Sequence, residues 1–303
     1  MRIEHALMSA AGVGVAILLA EKALGPFSNC LCEPLVWGFS IMGCSCVQNP
    51  LPLLLWLAAL SVPFFINIAA FALNDLLDIE ADRKNGHKER PLVSGALSPR
   101  VAVFTAASGY ALGVLAGWLI NPLCGLIATV FAVLSIAYNA KLKDWPLIGN
   151  AYIALSMAIA FPFGAAVMGL SLDHLPRPLF WLTLGAFAAG LARELVKSVQ
   201  DMAGDKKARG SRHLPILIGA QPTLVLAAIL GGVYASSIIK FAQRPLSTSP
   251  LFLASLFISA TLYLMLSLMM LRKPDAKRLE LIRKASLGAL GLALLTVLFA
   301  VLL

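Results

Sequence analysis

The sequence predicts an all-α, polytopic membrane protein: a bundle of nine transmembrane helices around a central cavity, with the N-terminus in and the C-terminus out. Three observations predict it. Of 303 residues 59% are hydrophobic and only 13% are charged, with a mean hydropathy of +0.85, far more apolar than a soluble domain. Nine apolar runs are long enough to cross a bilayer. The cations collect in alternate gaps between those runs, as they do where loops face the cytoplasm.

The first run, residues 6–22, lacks a clear small-residue cleavage site and reads as a first span, not a removable signal. The connection after it, 21–50, carries Cys30, Cys32, Cys44 and Cys46 as two C-x-C pairs around an apolar stretch, 35–43. That stretch is too short to span and reads as interfacial. The four cysteines suit one or two disulfides, with a metal site as the other option, although C-x-C is not zinc-finger spacing. Cys124 lies inside a run and reads as packing.

The second run, 51–77, contains Pro63, and the third, 99–120, follows Ser98-Pro99, an N-cap with proline at the first helical position. The fourth, 123–139, is the shortest and ends in Tyr138, Lys141 and Lys143, which serve first as interfacial anchors. The fifth, 147–169, opens with Gly149-Asn150 and tolerates Pro162 as a kink. The sixth, 179–200, holds Arg193 and Lys197, the two cations that fall inside a run. Runs 214–239, 250–271 and 285–303 complete the bundle. Each approaches the ~20 residues that a ~30 Å hydrocarbon core requires.

With the N-terminus inside, 18 cations fall in cytoplasmic gaps and 4 in outer ones. The chain therefore reads as one domain, 1–303, in the cell membrane, with basic cap loops at about 83–98 and 202–213 on the cytoplasmic face. The net charge of +9 belongs to those gaps and to no separate basic domain or arm, so no nucleic-acid partner is expected.

Chemistry is concentrated where the second run ends, in the stretch A-L-N-D-L-L-D-I-E-A-D, residues 72–82. On a continuous helix Asn74, Asp78 and Asp82 share one face, Asp75 flanks them, and Asn67 extends the face deeper. An oxygen-only set suits a hard cation such as Mg²⁺, which takes substrate phosphates as further ligands. An acidic helix end reaching water is the plainer alternative, yet it opposes the macrodipole. The loop beyond is dense in cations. Positive-inside bias accounts for most of Arg83, Lys84 and Lys88, whereas Arg90 before Pro91 suits a bidentate phosphate contact.

A second cluster closes the sixth run: Glu194, Ser198, Asp201 and Asp205 fall on one helical stripe, with Lys197 beside it and Lys206 just beyond. Arg193 beside Glu194 reads equally well as a buried structural ion pair. Ionisable residues at a span end that face a bundle interior are functional candidates. Two acidic clusters, each followed by a basic loop and a proline, suggest two related halves that hold a diphosphate through metal ions.

These residues resemble the UbiA superfamily of intramembrane prenyltransferases over nearly the whole chain. N-D-x-x-D-x-x-x-D is matched by Asn74, Asp75, Asp78 and Asp82, R-P-x-x-S-G by Arg90 to Gly95, and the segment after the fourth span by Tyr138 to Lys143 with Gly149-Asn150. The second acidic motif is matched by Ser198 to Gly210, with Asp201 and Asp205 kept but serine in place of the first aspartate. The resemblance implies Mg²⁺-dependent transfer of an isoprenyl group from a prenyl diphosphate, geranyl or longer, to an aromatic or other small lipid-precursor acceptor. It implies metal ligands at Asn74, Asp78, Asp82, Asp201 and Asp205. Catalytic groups would be Asp75, Arg90, Tyr138, Lys143 and Lys197, and substrate contacts Asn67, Asn74, Arg83, Lys141, Asn150, Glu194 and Lys206.

Two other classes compete. An ion-coupled transporter or lipid-binding membrane protein would place its ionisable residues near the midplane, whereas these sit at span ends facing basic loops. A lipid phosphotransferase of the CDP-alcohol type would carry D-x-x-D-G-x-x-A-R, which neither acidic stretch contains.

Overall fold

The computed structural model describes residues 3–24, 51–84, 86, 88–173, 175–208, 214–243 and 249–302. Among them the regular elements are all helical: α1 (Ile3–Leu24), α2 (Leu53–Leu77), α3 (Ile79–Lys84), α4 (Pro91–Ser94), α5 (Pro99–Ile120), α6 (Pro122–Ala140), α7 (Ile148–Ala158), α8 (Ala160–Val167), α9 (Arg177–Ala208), α10 (Leu214–Ile218), α11 (Ala220–Ala242), α12 (Pro250–Met270) and α13 (Ala276–Leu302), with a 3₁₀ turn at Leu142–Asp144. Eight segments of the described residues are long and apolar enough to cross a membrane. α1, with 22 residues, brings the helices of spanning length to nine. Cys30, Cys32, Cys44 and Cys46, the interfacial stretch 35–43 and the 209–213 end of the second basic loop lie outside the described residues.

Several boundaries differ from the sequence reading, α9 running on to Ala208 among them, and three of them have a local reason. The fifth run is two helices, α7 and α8, joined at Ile159: Pro162 has no N–H for the Ala158 carbonyl, and the helix resumes with Phe163 N–H on Ile159 O at 2.9 Å. The seventh run begins at Ala220, because Gly219 adopts φ 93° and separates α10 from α11. The ninth helix starts nine residues early, at Ala276, so its first turns carry Lys277, Arg278, Arg283 and Lys284. An apolar-run count cannot see a helix that extends through a charged interface.

α2 packs on α1 and α5, α5 on α6, α7 on α9, α9 on α11, α11 on α12, and α12 on α13. α13 also meets α1, where Lys22 Nζ donates to Ala300 O at 2.8 Å, so the helices form a closed ring. A small residue brings α5 close to α2. A Cβ on Gly113 would lie 2.7 Å from Ile66 Cγ1 and 3.3 Å from Val62 O, so glycine lets α5 approach the α2 backbone. Asn121 joins α5 to α6, accepting from Cys124 N at 2.8 Å as an N-cap while its amide donates to Ala166 O at 2.8 Å.

In the second half, hydroxyls tie four helices together. Ser259 Oγ donates to Ala289 O at 2.7 Å, so Tyr234 OH is the donor in its 2.7 Å bond to Ser259. Tyr263 OH donates to Ala189 O at 2.9 Å and fixes α9 one turn before its charged stretch. Buried hydroxyls aimed at backbone carbonyls hold helices where lipid offers no hydrophobic drive.

Candidate active site

The acidic stretch at the end of α2 is bent, not one straight helix. α2 stops at Leu77, Asp78 is its C-cap at φ −93° and ψ 2°, and α3 restarts at Ile79. Backbone bonds nevertheless run through the bend, Asp78 N to Asn74 O at 3.0 Å and Asp82 N to Asp78 O at 2.8 Å. The motif therefore keeps its spacing while the chain turns toward the loop carrying Arg90.

Two cations meet these carboxylates. Lys143 Nζ donates to Asp78 Oδ1 at 2.7 Å, with both side chains mostly buried, at 16% and 14% exposure. Lys143 is delivered by the 3₁₀ turn between α6 and α7, and Leu147 at φ 64° completes the tight return. Arg90 caps α4 ahead of Pro91, and its NH1 lies 2.7 Å from Asp82 Oδ2 and 3.6 Å from Asp75 Oδ1. The Asp82 contact is an ion pair without hydrogen-bond alignment, since Oδ2 has no hydrogen-bond partner. Asp82 is buried, whereas Asp75 keeps 39% exposure and has the loosest hold of the three. Arg83 on α3 and Lys141 after α6 are exposed.

The turn bearing Lys143 also leads to the second cluster. Asn150 on α7 donates from Nδ2 to Ser198 Oγ at 2.8 Å and to Glu194 O at 3.2 Å, and Ser198 Oγ donates to Glu194 O at 3.0 Å. Ser198 is thus buried in the α7–α9 crossing, its hydroxyl engaged by Asn150. Tyr138 stacks on Tyr152 at 4.8 Å between ring centres. The segment bearing Lys143 and Asn150 thus contacts both acidic clusters. Asp201 is exposed on α9, and the side chains of Asp205 and Lys206 lie outside the described ones.

Asn67 spends its amide on the helix, donating to Pro63 O at 2.8 Å at the proline kink. Asn139 escaped the sequence reading: it is buried and donates to Ser135 O at 3.0 Å and to Ala70 O at 3.3 Å, tying α6 to α2 behind the acidic stretch. Its position next to Tyr138 was the available signal. Tyr152 was missed as well, and only its approach to Tyr138 reveals it.

Among the described residues no three His, Cys, Asp or Glu side chains converge as a metal cage. The donor chemistry fits Mg²⁺ all the same, because that ion is held by one or two carboxylates, waters and substrate phosphates. Asp75, Asp78 and Asp82 offer hard oxygens at one end of the ring, and Arg90 and Lys143 supply positive charge beside them. A polyanion with a hard cation is what this mixed set can receive at a membrane face.

Residues 34–287 match the UbiA prenyltransferase family. Digeranylgeranylglyceryl phosphate synthase of Methanococcoides burtonii is 36% identical over 219 residues, which cover 72% of this chain and 75% of that protein. Among solved structures, a chain from work on digeranylgeranylglyceryl phosphate synthase in membranes superposes with a TM-score of 0.74 at 24% identity, covering 100% of this chain and 96% of that one. A UbiA homologue from Archaeoglobus fulgidus bound to GPP and Mg²⁺ superposes with a TM-score of 0.58 at 18% identity, covering 97% of this chain and 99% of that one.

Proposed function

The chain belongs to the UbiA prenyltransferase family, and from that premise we propose that it transfers a geranylgeranyl group from its diphosphate to the hydroxyl of geranylgeranylglyceryl phosphate. The name of the Methanococcoides burtonii relative supplies the acceptor class. The observation that carries the reading is the segment 142–150, which ties Asp78 through Lys143 to one acidic motif and Glu194 and Ser198 through Asn150 to the other. Family membership removes the transporter and CDP-alcohol alternatives.

Mg²⁺, when bound, neutralises the diphosphate and eases its departure. It would be held by Asn74, Asp78 and Asp82 on one side and Asp201 and Asp205 on the other, with Asp75 free to join. Arg90 and Lys143 meet the negative charge that grows as the bond from the allylic carbon to the diphosphate oxygen breaks. The acceptor hydroxyl oxygen forms a new ether bond to that carbon, and its proton passes to Asp75, the carboxylate of the first motif least committed to a cation. Tyr138 and Tyr152 place aromatic faces beside the developing cation. Asn150 keeps α9 in register with α7, and the surrounding apolar helices exclude water from the allylic cation.

The charge count puts the loops at about 83–98 and 202–213 on the cytoplasmic face, so the site opens to that side of the membrane. Purified protein supplied with Mg²⁺, geranylgeranyl diphosphate and geranylgeranylglyceryl phosphate should yield the doubly alkylated glyceryl phosphate by mass. An aromatic acceptor consumed in its place would replace the acceptor in this reading. No product from any acceptor, with donor bound, would remove it.

A further inference from the structure

Of the eight segments long and apolar enough to cross a membrane among the described residues, that of α9 is the most enclosed. Leu191, Ala192, Leu195, Val196 and Val199 are buried against neighbours. Arg193, Glu194, Lys197, Gln200 and Asp201 retain exposure. Successive helical positions turn by ~100°, which gathers these five into one side of α9. The side chains of Arg193 and Glu194 keep only 26% and 12% exposure, so this end of the stripe is turned toward the protein, as charged groups within a membrane require.

Among the described side chains Arg193 is loosely paired. Arg193 NH1 approaches Glu194 Oε1 only to 3.9 Å, because neighbours in sequence diverge on a helix. Arg193 Nε is buried with no hydrogen-bond partner, and so is Gln200 Oε1 two turns on. A buried donor and a buried acceptor left unpaired on one face are what a polar ligand would satisfy. Lys197 adds a second positive charge one turn beyond Arg193. Arg90 and Lys143, the cations of the first motif, come from α4 and the 142–144 turn in the other half.

The reaction proposed above has two anionic substrates, and among the described residues the pair Arg90 and Lys143 and the pair Arg193 and Lys197 come from different elements. We propose that Arg193 and Lys197 bind the phosphate of the acceptor, leaving Arg90 and Lys143 to the diphosphate of the donor. The planar guanidinium takes the phosphate through Nε and a terminal nitrogen, and Lys197 contributes a point charge. Arg193 lies eight residues before Asp201, about 12 Å deeper along the helix, so the acceptor headgroup enters beneath the diphosphate. An acceptor without an anionic headgroup leaves the buried Arg193 Nε without a partner and is rejected. This inference rests on the glyceryl phosphate reading of the acceptor.

The test is kinetic and thermal on the purified full chain. Arg193→Gln should raise the KM for geranylgeranylglyceryl phosphate about 10- to 100-fold, the range of a lost charged hydrogen bond, with the donor KM unchanged. Arg193→Lys, which keeps the charge, should fall between the two, and Lys197→Gln should shift the same constant. Binding is read independently of turnover: geranylgeranylglyceryl phosphate should raise the melting temperature of the wild type but not of Arg193→Gln, and phosphate-free geranylgeranylglycerol should raise neither. A wild type stabilised by the phosphate ligand yet unable to alkylate it would overturn the proposed reaction and leave the phosphate site standing. A changed donor KM alone, or equal stabilisation of wild type and Arg193→Gln, would overturn the phosphate site. If Arg193→Gln does not fold, Arg193→Lys and Lys197→Gln decide on the same readings.

Discussion

Replacing Lys143 with methionine tests the link between the 142–144 turn and the first acidic motif. The Nζ–Oδ1 distance to Asp78 is 2.7 Å and both side chains are mostly enclosed, so the small value of exposed ion pairs does not apply. Removing one member of a fully buried pair costs about 3–5 kcal/mol, and partial access to water brings this nearer about 2–3 kcal/mol. At ~1.4 kcal/mol per decade, that is roughly a 30- to 150-fold loss in kcat/KM for the prenyl diphosphate if Asp78 must be held for turnover. Steady-state rates would be measured for wild type, Lys143→Met, Asp78→Asn and the double variant. Because Lys143 holds Asp78 as well as meeting the diphosphate, the two losses should combine to less than their product, as they do for residues in contact. Full additivity of the two losses, or a loss below threefold in Lys143→Met, would refute the reasoning. Melting curves of the four proteins separate misfolding from misplacement.

Four further outcomes follow from the geometry. Asp78→Ala and Asp201→Ala should each abolish turnover in protein that still elutes as a folded species, and chelating Mg²⁺ should do the same to wild type, reversibly on adding it back. Asp82→Asn should lower activity by about tenfold through loss of the Arg90 ion pair at 2.7 Å, and Arg90→Lys should restore little in an Arg90-deficient protein, as a rate series would show. Gly113→Val should lower the melting temperature because its Cβ would press on Ile66, whereas Gly288→Ala, with open space around it, should leave it level or slightly higher. In a background lacking the native cysteines, Lys88→Cys and Lys273→Cys should be labelled from the same side of sealed vesicles and Gln243→Cys from the other, and labelling of all three from one side would overturn the proposed topology.

Much of the bundle could be read from run length alone, because lipid demands long helices whose bonds close internally. The misread boundaries at Gly219 and Ala276 arose where a single backbone angle or a charged interface decided the end. The first acidic motif was legible because its members are close in sequence. The contacts that make it a site were not: Lys143 is 65 residues from Asp78, and Asn150 is 48 from Ser198. Ser198 shows the difference plainly. In sequence it stands where the second motif has its first aspartate, and only the α7–α9 crossing reveals that its hydroxyl holds Asn150 and the Glu194 carbonyl. Position on a helix face narrows what a residue can touch, and the neighbouring helix decides what it does.

The separation of Asp78 from Lys143 also imposes an order of events during synthesis. The 65 residues between them take about 3–13 s to emerge at ~5–20 residues per second, so α2 reaches the bilayer well before its lysine exists. A helix ending in Asn74, Asp75 and Asp78 then lacks its Lys143 partner, and α2 breaks at Asp78. Arg90 arrives only eight residues after Asp82, well ahead of Lys143, and is the ion-pair partner that Asp82 has in the finished fold. A slowed translation between α5 and α6 would prolong the interval in which the first motif has Arg90 but not yet Lys143.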